Sequence, residues 1–113
     1  MSFQYLQLEQ RDQVATVWIN RAEMHNAFNT QVIEELHRCF SELNTRDDVR
    51  VVILAGRGKS FSAGADLNWM KEAGQASQAE NEADALKLAK MLQSLATLKQ
   101  PTIARVQGIA SVS

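Results

Sequence analysis

The run Val51-Val52-Ile53-Leu54-Ala55 constrains this chain more than any other segment. It is short, continuous and apolar, between the polar stretch Thr45–Arg50 and a loop rich in Gly and Ser, Gly56 to Gly64. A strand with one wet face would alternate apolar and polar residues, and this one does not. It therefore reads as a buried strand of a parallel sheet, which points to an α/β fold. In open α/β sheets ligands sit outside the carboxyl ends of the strands, so Gly56 to Gly64 is the first place to look for function.

The flanking elements fit that class. Phe3, Tyr5, Leu6 and Leu8 alternate loosely with polar residues, and Val14, Thr16, Val17, Trp18 and Ile19 follow. Both stretches read as strands, joined as a hairpin through a tight connection at Gln10-Arg11-Asp12. From Asn20 to Asn29 the apolar pattern fails, which marks a loop. A helix then begins, capped by Asn29 or Thr30, with Glu34 and Glu35 in early turns where the helix dipole favours negative charge. Val32, Ile33, Leu36, Phe40 and Leu43 form its apolar face, and Glu34–Arg38 and Glu42–Arg46 are expected i,i+4 ion pairs. Cys39 reads as a small, partly buried residue, because nothing electropositive beside it would activate a thiolate.

After the apolar run, Asp66 to Glu72 has the pattern of a short helical turn and Gly74 to Ala79 that of a connection. Ser77-Gln78-Ala79-Glu80 matches a capping box. The helix it opens carries Leu86, Leu88, Met91, Leu92, Leu95 and Leu98, and Pro101 ends it. Thr102 to Val106 reads as a last strand. The expected order is β-β-α-β-loop-α-β, without repeats or low-complexity tracts.

Composition narrows the function classes. Among 113 residues, 12 basic and 13 acidic side chains leave a net charge of -1. Nucleic-acid and membrane-surface binders need a basic excess, so neither partner is expected. No apolar run approaches the roughly 18 residues that span a bilayer. The stretch Met1-Ser2-Phe3-Gln4-Tyr5 has neither a basic n-region nor an apolar h-region, so the expected location is cytoplasmic. Cys39 is the sole cysteine, which excludes an intrachain disulfide and a cysteine metal cluster.

Few motifs carry chemistry. Gly58-Lys59-Ser60 after a strand invites a phosphate-loop reading, but that motif needs a glycine where Ile53 stands. His25 and His37 have no second ligand at metal spacing, so surface histidines and no metal site are expected. Ser60 and Ser62 have no recognisable base and read as loop hydroxyls. The informative segment is Phe61-Ser62-Ala63-Gly64-Ala65-Asp66-Leu67. Small residues cluster there where a strand ends and a helical turn begins, which leaves backbone N–H groups able to point at a close ligand. A free N–H aimed at a carbonyl oxygen is half an oxyanion hole. The same residues also suit a tight structural turn with Asp66 capping the next helix.

Three ordered blocks resemble one family. Trp18-Ile19-Asn20-Arg21-Ala22-Glu23-Met24-His25-Asn26-Ala27-Phe28-Asn29 resembles the first-loop signature of the crotonase (enoyl-CoA hydratase/isomerase) superfamily. Val51 to Gly56 with Lys59-Ser60-Phe61-Ser62-Ala63-Gly64-Ala65-Asp66-Leu67 resembles its second signature. Gln100-Pro101-Thr102-Ile103-Ala104-Arg105-Val106-Gln107-Gly108 resembles the strand that leads to its third. The match covers residues 3 to 110, and Asn68-Trp69-Met70-Lys71 looks most like methylglutaconyl-CoA hydratases of leucine and isoprenoid breakdown.

The resemblance implies a crotonase-like ββα spiral, present here as an N-terminal portion over 1–113, and an acyl-CoA thioester as substrate. Two backbone N–H groups hold the thioester oxygen and stabilise the enolate, and by position Ala65 supplies the first. Ala63, Gly64, Asp66 and Leu67 then line the bent CoA, with the Ala63 backbone near the adenine. His25 stands near the CoA phosphates, Ala27 beside the pantetheine, and Trp69 and Met70 border the acyl pocket. No cofactor is implied, since coenzyme A is part of the substrate. The parent reaction is addition of water to a 2-enoyl-CoA, by a homo-oligomer (trimer or hexamer).

One departure shapes the expectation. After Gly108-Ile109-Ala110 the family continues into a run of glycines that supplies the second oxyanion donor, whereas here the residues are Ser111-Val112-Ser113. By position the donor glycine corresponds to Ser113, and the two water-activating glutamates and the trimerisation helices belong further on. Hydration needs a base, a proton source and enolate stabilisation, and Asp66 and Glu72 do not replace the missing groups. The 113 residues alone are therefore expected to lack hydratase activity. The alternative is a non-catalytic remnant that binds CoA thioesters or associates with itself to cover an unfinished sheet edge.

Overall fold

Apolar side chains recur at every second position along the first two strands, and the backbone forms a hairpin there. The computed structural model of the chain describes residues 3–24, 26–58, 75 and 77–105. Strand β1 (Leu6–Arg11) pairs antiparallel with β2 (Val14–Ile19), with Leu6 opposite Ile19 and Leu8 opposite Val17. Leu6, Ala15, Val17 and Ile19 face inward and are buried, while Gln7, Glu9 and Arg11 are exposed. The reversal lies at Asp12-Gln13, later than the expected Gln10-Arg11-Asp12, because β1 extends through that polar stretch. Strand pairing uses the backbone, so polar side chains on the wet face do not end it. Asp12 takes the left-handed conformation (φ 54) that short polar side chains tolerate.

A single 3-10 turn, Ala22–Met24, interrupts the loop after β2. Helix α1 (Thr30–Leu43), strand β3 (Val51–Gly56), helix α2 (Gln78–Ala96) and strand β4 (Thr102–Arg105) follow. The sheet order is β1-β2-β3-β4, parallel at β2/β3 and β3/β4, which is the α/β arrangement expected. Asn29 rather than Thr30 caps α1, its side chain accepting from the Val32 N–H at 2.9 Å. Ser77 caps α2 by accepting from the Glu80 N–H.

Core packing lies on one side of the sheet. Val32, Ile33, Leu36, Cys39, Phe40 and Leu43 of α1 meet Leu6, Ala15, Val17, Ile19 and Val52, with Met91 of α2 closing the cluster. Cys39 is fully rather than partly buried, and burial, helped by Glu42, pushes its thiol up to about 12. That thiol stays protonated and packs as a small apolar residue. The outer face of β3 departs from expectation: Val51 and Ile53 are only half-buried. Helix α1 lies on the inner face and α2 packs on α1; on the outer face Ala55 is nonetheless buried, next to Trp18 and Arg105. All four residues of β4 are exposed, Ile103 to 55%.

The helix charges also pair differently from the i,i+4 expectation. Glu34 bridges to Lys87 of α2 at 3.0 Å, and Arg46 bridges to Asp48 at 2.8 Å. Helix α1 ends at Leu43, which takes Arg46 off the face that carries Glu42. Glu35, in an early turn of α1 as expected, is fully buried. His37 is half-buried, and its Nδ1 is buried without a hydrogen-bond partner among the described residues. Helix α2 stops at Ala96, before Pro101. Gln100, four residues on, donates from Nε2 to the carbonyls of Leu43, Arg46 and Val49 and ties the exit of α2 to the link between α1 and β3.

Candidate functional site

Parallel pairing brings the carboxyl ends of three strands to the same end of the sheet. Ile19 lies opposite Gly56 and Ala55 opposite Arg105, so β2, β3 and β4 all finish there. The three sequence blocks singled out above begin on these strands. Spacing along the chain gives no hint of that convergence; the sheet order creates it.

The first of these segments, 20–29, is built around Asn26. This residue is fully buried and sits at φ 55, a left-handed conformation that asparagine adopts more readily than most residues. Its Oδ1 accepts from the Arg21 N–H at 2.8 Å, and its own N–H donates to the Arg21 carbonyl at 2.8 Å. Its Nδ2 donates to the Arg57 carbonyl at 2.8 Å, which joins the first segment to the one after β3. One amide side chain thus satisfies both a buried donor and a half-buried acceptor, in the region where two loops must keep register.

Arg21 completes the frame. It is nine-tenths buried, donates from Nη1 to the Ala27 carbonyl at 2.9 Å, and lies over the Tyr5 ring at 5.2 Å. Gly58 follows Arg57 with φ 81, and a Cβ there would stand 3.0 Å from the Ala22 Cβ. Glycine is thus required for both conformation and space where the chain enters residues 59–74.

Beside the mouth, on the outer face, Arg57 stacks on Trp18 at 3.9 Å and donates to Gln7 and to Glu9 at 2.9 and 2.8 Å. Trp18 donates from Nε1 to the second oxygen of Glu9, and Arg105 lies 5.4 Å from the same ring. This polar cluster holds Arg57 in place while its backbone serves Asn26.

Of the residues proposed from sequence, the structure places Ala27. It is buried at the end of the first segment, with its carbonyl taken by Arg21. His25, Ala63, Gly64, Ala65, Asp66, Leu67, Trp69 and Met70 lie outside the described residues, as does the helical turn expected over 66–72. Sequence reasoning missed Asn26 and Arg21 as organisers of the mouth. The available signal was an Asn in a loop between strand and helix, a residue type favoured where φ is positive.

Comparison with known proteins agrees along most of the chain. The sequence profile of the family described as enoyl-CoA hydratase/isomerase matches residues 9–112. The short-chain-enoyl-CoA hydratase of Clostridium acetobutylicum is 38% identical over 104 residues, 91% of this chain and 39% of that protein. The 4-chlorobenzoyl coenzyme A dehalogenase-2 of an Arthrobacter species is 32% identical over 108 residues, 94% of this chain and 39% of that protein. The crystal structure of an enoyl-CoA hydratase from Shewanella pealeana superposes with a TM-score of 0.91 at 35% identity, covering 94% of this chain and 40% of that one. The chain thus spans about 40% of the length of the relatives it matches. Its α/β arrangement corresponds to that portion of a crotonase fold.

Proposed function

The chain belongs to the enoyl-CoA hydratase/isomerase family, and from this premise we propose that the mouth at the carboxyl ends of β2, β3 and β4 binds the thioester of an acyl-CoA. One observation carries the reading. A relative named as a hydratase and another named as a dehalogenase each match more than nine-tenths of this chain, and both names specify a CoA thioester. Binding of that thioester, more than any one reaction, is what this segment has in common with both.

On this reading the Ala65 backbone N–H is one donor to the thioester oxygen. Such a preorganised donor is worth most where negative charge develops, on the enolate oxygen. Ala63, Gly64, Asp66 and Leu67 follow the bent CoA, His25 meets its phosphates, Ala27 backs the pantetheine, and Trp69 and Met70 border the acyl group. The whole protein adds water to a 2-enoyl-CoA in the cytoplasm, as a homo-oligomer and without a separate cofactor. Asn68-Trp69-Met70-Lys71 favours methylglutaconyl-CoA and leucine breakdown as the setting. Residues 1–113 by themselves bind rather than hydrate, because the water-activating glutamates of the family have no counterpart among them.

A second reading, self-association, is favoured by the exposed β4 edge with Ile103 and by Leu86 and Leu92 on the outside of α2. Calorimetric titration of the 113-residue chain with acetoacetyl-CoA, a stable enolisable thioester, beside size-exclusion chromatography separates the two. Saturable binding with no turnover of crotonyl-CoA is the expected result. A folded, defined oligomer that does not bind the thioester would remove the first reading and leave the second.

A further inference from the structure

Glu35 is a charged residue on the wrong face of its helix. It lies among Val32, Leu36 and Cys39, all buried, and is itself fully buried. An aliphatic side chain would fill that position without the desolvation cost of a carboxylate. Its Oε1 accepts from the Tyr5 N–H at 2.9 Å, while Oε2 has no hydrogen-bond partner among the described residues. What the carboxylate does is therefore to be sought at Tyr5.

Tyr5 immediately precedes β1 and leads to the mouth in two ways. Its carbonyl accepts from the Asn20 N–H at 2.6 Å, at the first residue of the loop after β2. Its ring lies beneath the Arg21 guanidinium at 5.2 Å, and that guanidinium holds the Ala27 carbonyl. Arg21 is also bound through its backbone to Asn26. A chain of contacts therefore runs from the interior of α1 to the loop that ends at the α1 cap. Both ends of loop 20–29 are set by the same helix, one by Asn29 and the other by Glu35 through Tyr5.

We propose that Glu35 is the positioning residue of this loop, fixing its start against α1 so that Asn26 and Ala27 stand in register with the chain after β3. The assignment deepens the acyl-CoA reading above and rests on it for its functional consequence. A carboxylate suits the task because a charged acceptor holds a backbone N–H more strongly than a neutral one, and burial restricts its movement.

The test compares E35M, E35D and E35Q in the full 113-residue chain. Met keeps the volume and removes the acceptor, Asp draws the charge back by one methylene, and Gln retains an acceptor at the same reach. Amide hydrogen exchange at Asn20, Arg21 and Asn26 is expected to speed up about tenfold in E35M and E35D, as for loss of a charge-assisted hydrogen bond. In E35Q, which keeps the acceptor without the charge, the rise should be smaller, about threefold, and exchange at Val17 and Val52 should not move. Affinity for acetoacetyl-CoA is expected to fall about tenfold in the same two variants and to recover in part in E35Q. Where E35M does not fold, E35D decides. Unchanged loop exchange in the folded variants overturns the assignment, and so does a loosened loop with unchanged affinity. If the parent chain binds no thioester, the acyl-CoA reading fails separately, and exchange still decides whether Glu35 sets the loop.

Discussion

The two helices each follow a segment of the candidate site, yet they are held in opposite ways. Helix α1 follows loop 20–29 and buries Val32, Ile33, Glu35, Leu36, Cys39, Phe40 and Leu43 between the sheet and its neighbour. Helix α2 follows residues 59–76 and is longer, but Met91 is its one buried residue among those described, and Leu86 and Leu92 face outward. The difference shows that amphipathic length does not decide how firmly a helix is held. What decides is how many layers meet at it. Half of the proposed thioester mouth therefore stands on a helix locked into the core, and the other half leads into one that rests on the outside.

The largest expected effect tests that contrast directly. Phe40→Ala removes the biggest fully buried side chain and should cost about 3–5 kcal/mol, enough to unfold much of a domain this size. Met91→Ala should cost nearer to about 2 kcal/mol, at the low end for a buried methionine, because the periphery can relax into the space. Urea denaturation of both variants measures the difference. Equal losses would break the comparison and make α2 as much a part of the core as α1.

Next comes the bridge between the two segments. Asn26→Ala removes the acceptor of the Arg21 N–H and the donor to the Arg57 carbonyl, and asks alanine to adopt φ 55. The expected loss is about 2–3 kcal/mol from the buried hydrogen bonds. Asn26→Gly should recover the conformational part and no more. Thermal unfolding separates the parts. Thioester titration should show affinity lost in both, since neither restores the link to Arg57.

Much of this arrangement was legible in the sequence because periodicity reports directly on burial. Val32, Ile33, Leu36, Phe40 and Leu43 read as a core face and form one, the cap at Ser77 read from hydroxyl chemistry alone, and Asn29 was one of two neighbouring candidates for the other cap. The parts that did not read are those in which tertiary context overrules a local rule. Glu35 is a carboxylic residue, a type normally assigned to solvent; it is buried where it accepts from the Tyr5 N–H, thirty residues away. The apolar run 51–55 read as covered on both faces, yet Val51 and Ile53 on its outer face are only half-buried. As for the site, the blocks were visible but their meeting was not, because convergence depends on sheet order. Ala65 and its neighbours lie outside the described residues, so that part rests on resemblance.

A smaller effect is expected at the entry to the second segment. Gly58→Ala places a Cβ against Ala22 and holds alanine at φ 81, for about 1–2 kcal/mol. The strain is confined to one backbone position and one methyl contact, whereas Asn26→Ala removes two hydrogen bonds. The loss in urea denaturation should then fall below that of Asn26→Ala. A loss as large as that of Asn26→Ala would mean that the conformation at Gly58 holds the fold as firmly as the Asn26 bridge.

The smallest expected effect concerns how the exits of the two helices are tied. Asp48 accepts from Arg46 and Gln10, and these hydrogen bonds hold its carboxyl well below the usual carboxylate range, the Arg46 contact contributing most. Asp47 is lowered in the same sense by its hydrogen bond to Lys99, which lies just beyond α2. A carboxylate whose folded-state pKa is depressed stabilises the fold at pH values above its unfolded value, near 4. That contribution fades as the pH falls from there towards the folded value. Asp48→Asn should therefore lower Tm slightly at pH 7, since exposed pairs contribute little. The gap to the parent should narrow steadily below about pH 4 as the parent loses its own charge. A gap that does not change with pH would show that the side chain acts there by its shape and hydrogen bonds alone. Repeating the scan with Asp47→Asn distinguishes the two helices. The larger pH-dependent loss is expected at Asp48, whose carboxyl accepts from two partners and is the more strongly lowered; the reverse would mean that the tie at the end of α2 matters more to the fold than the one behind α1.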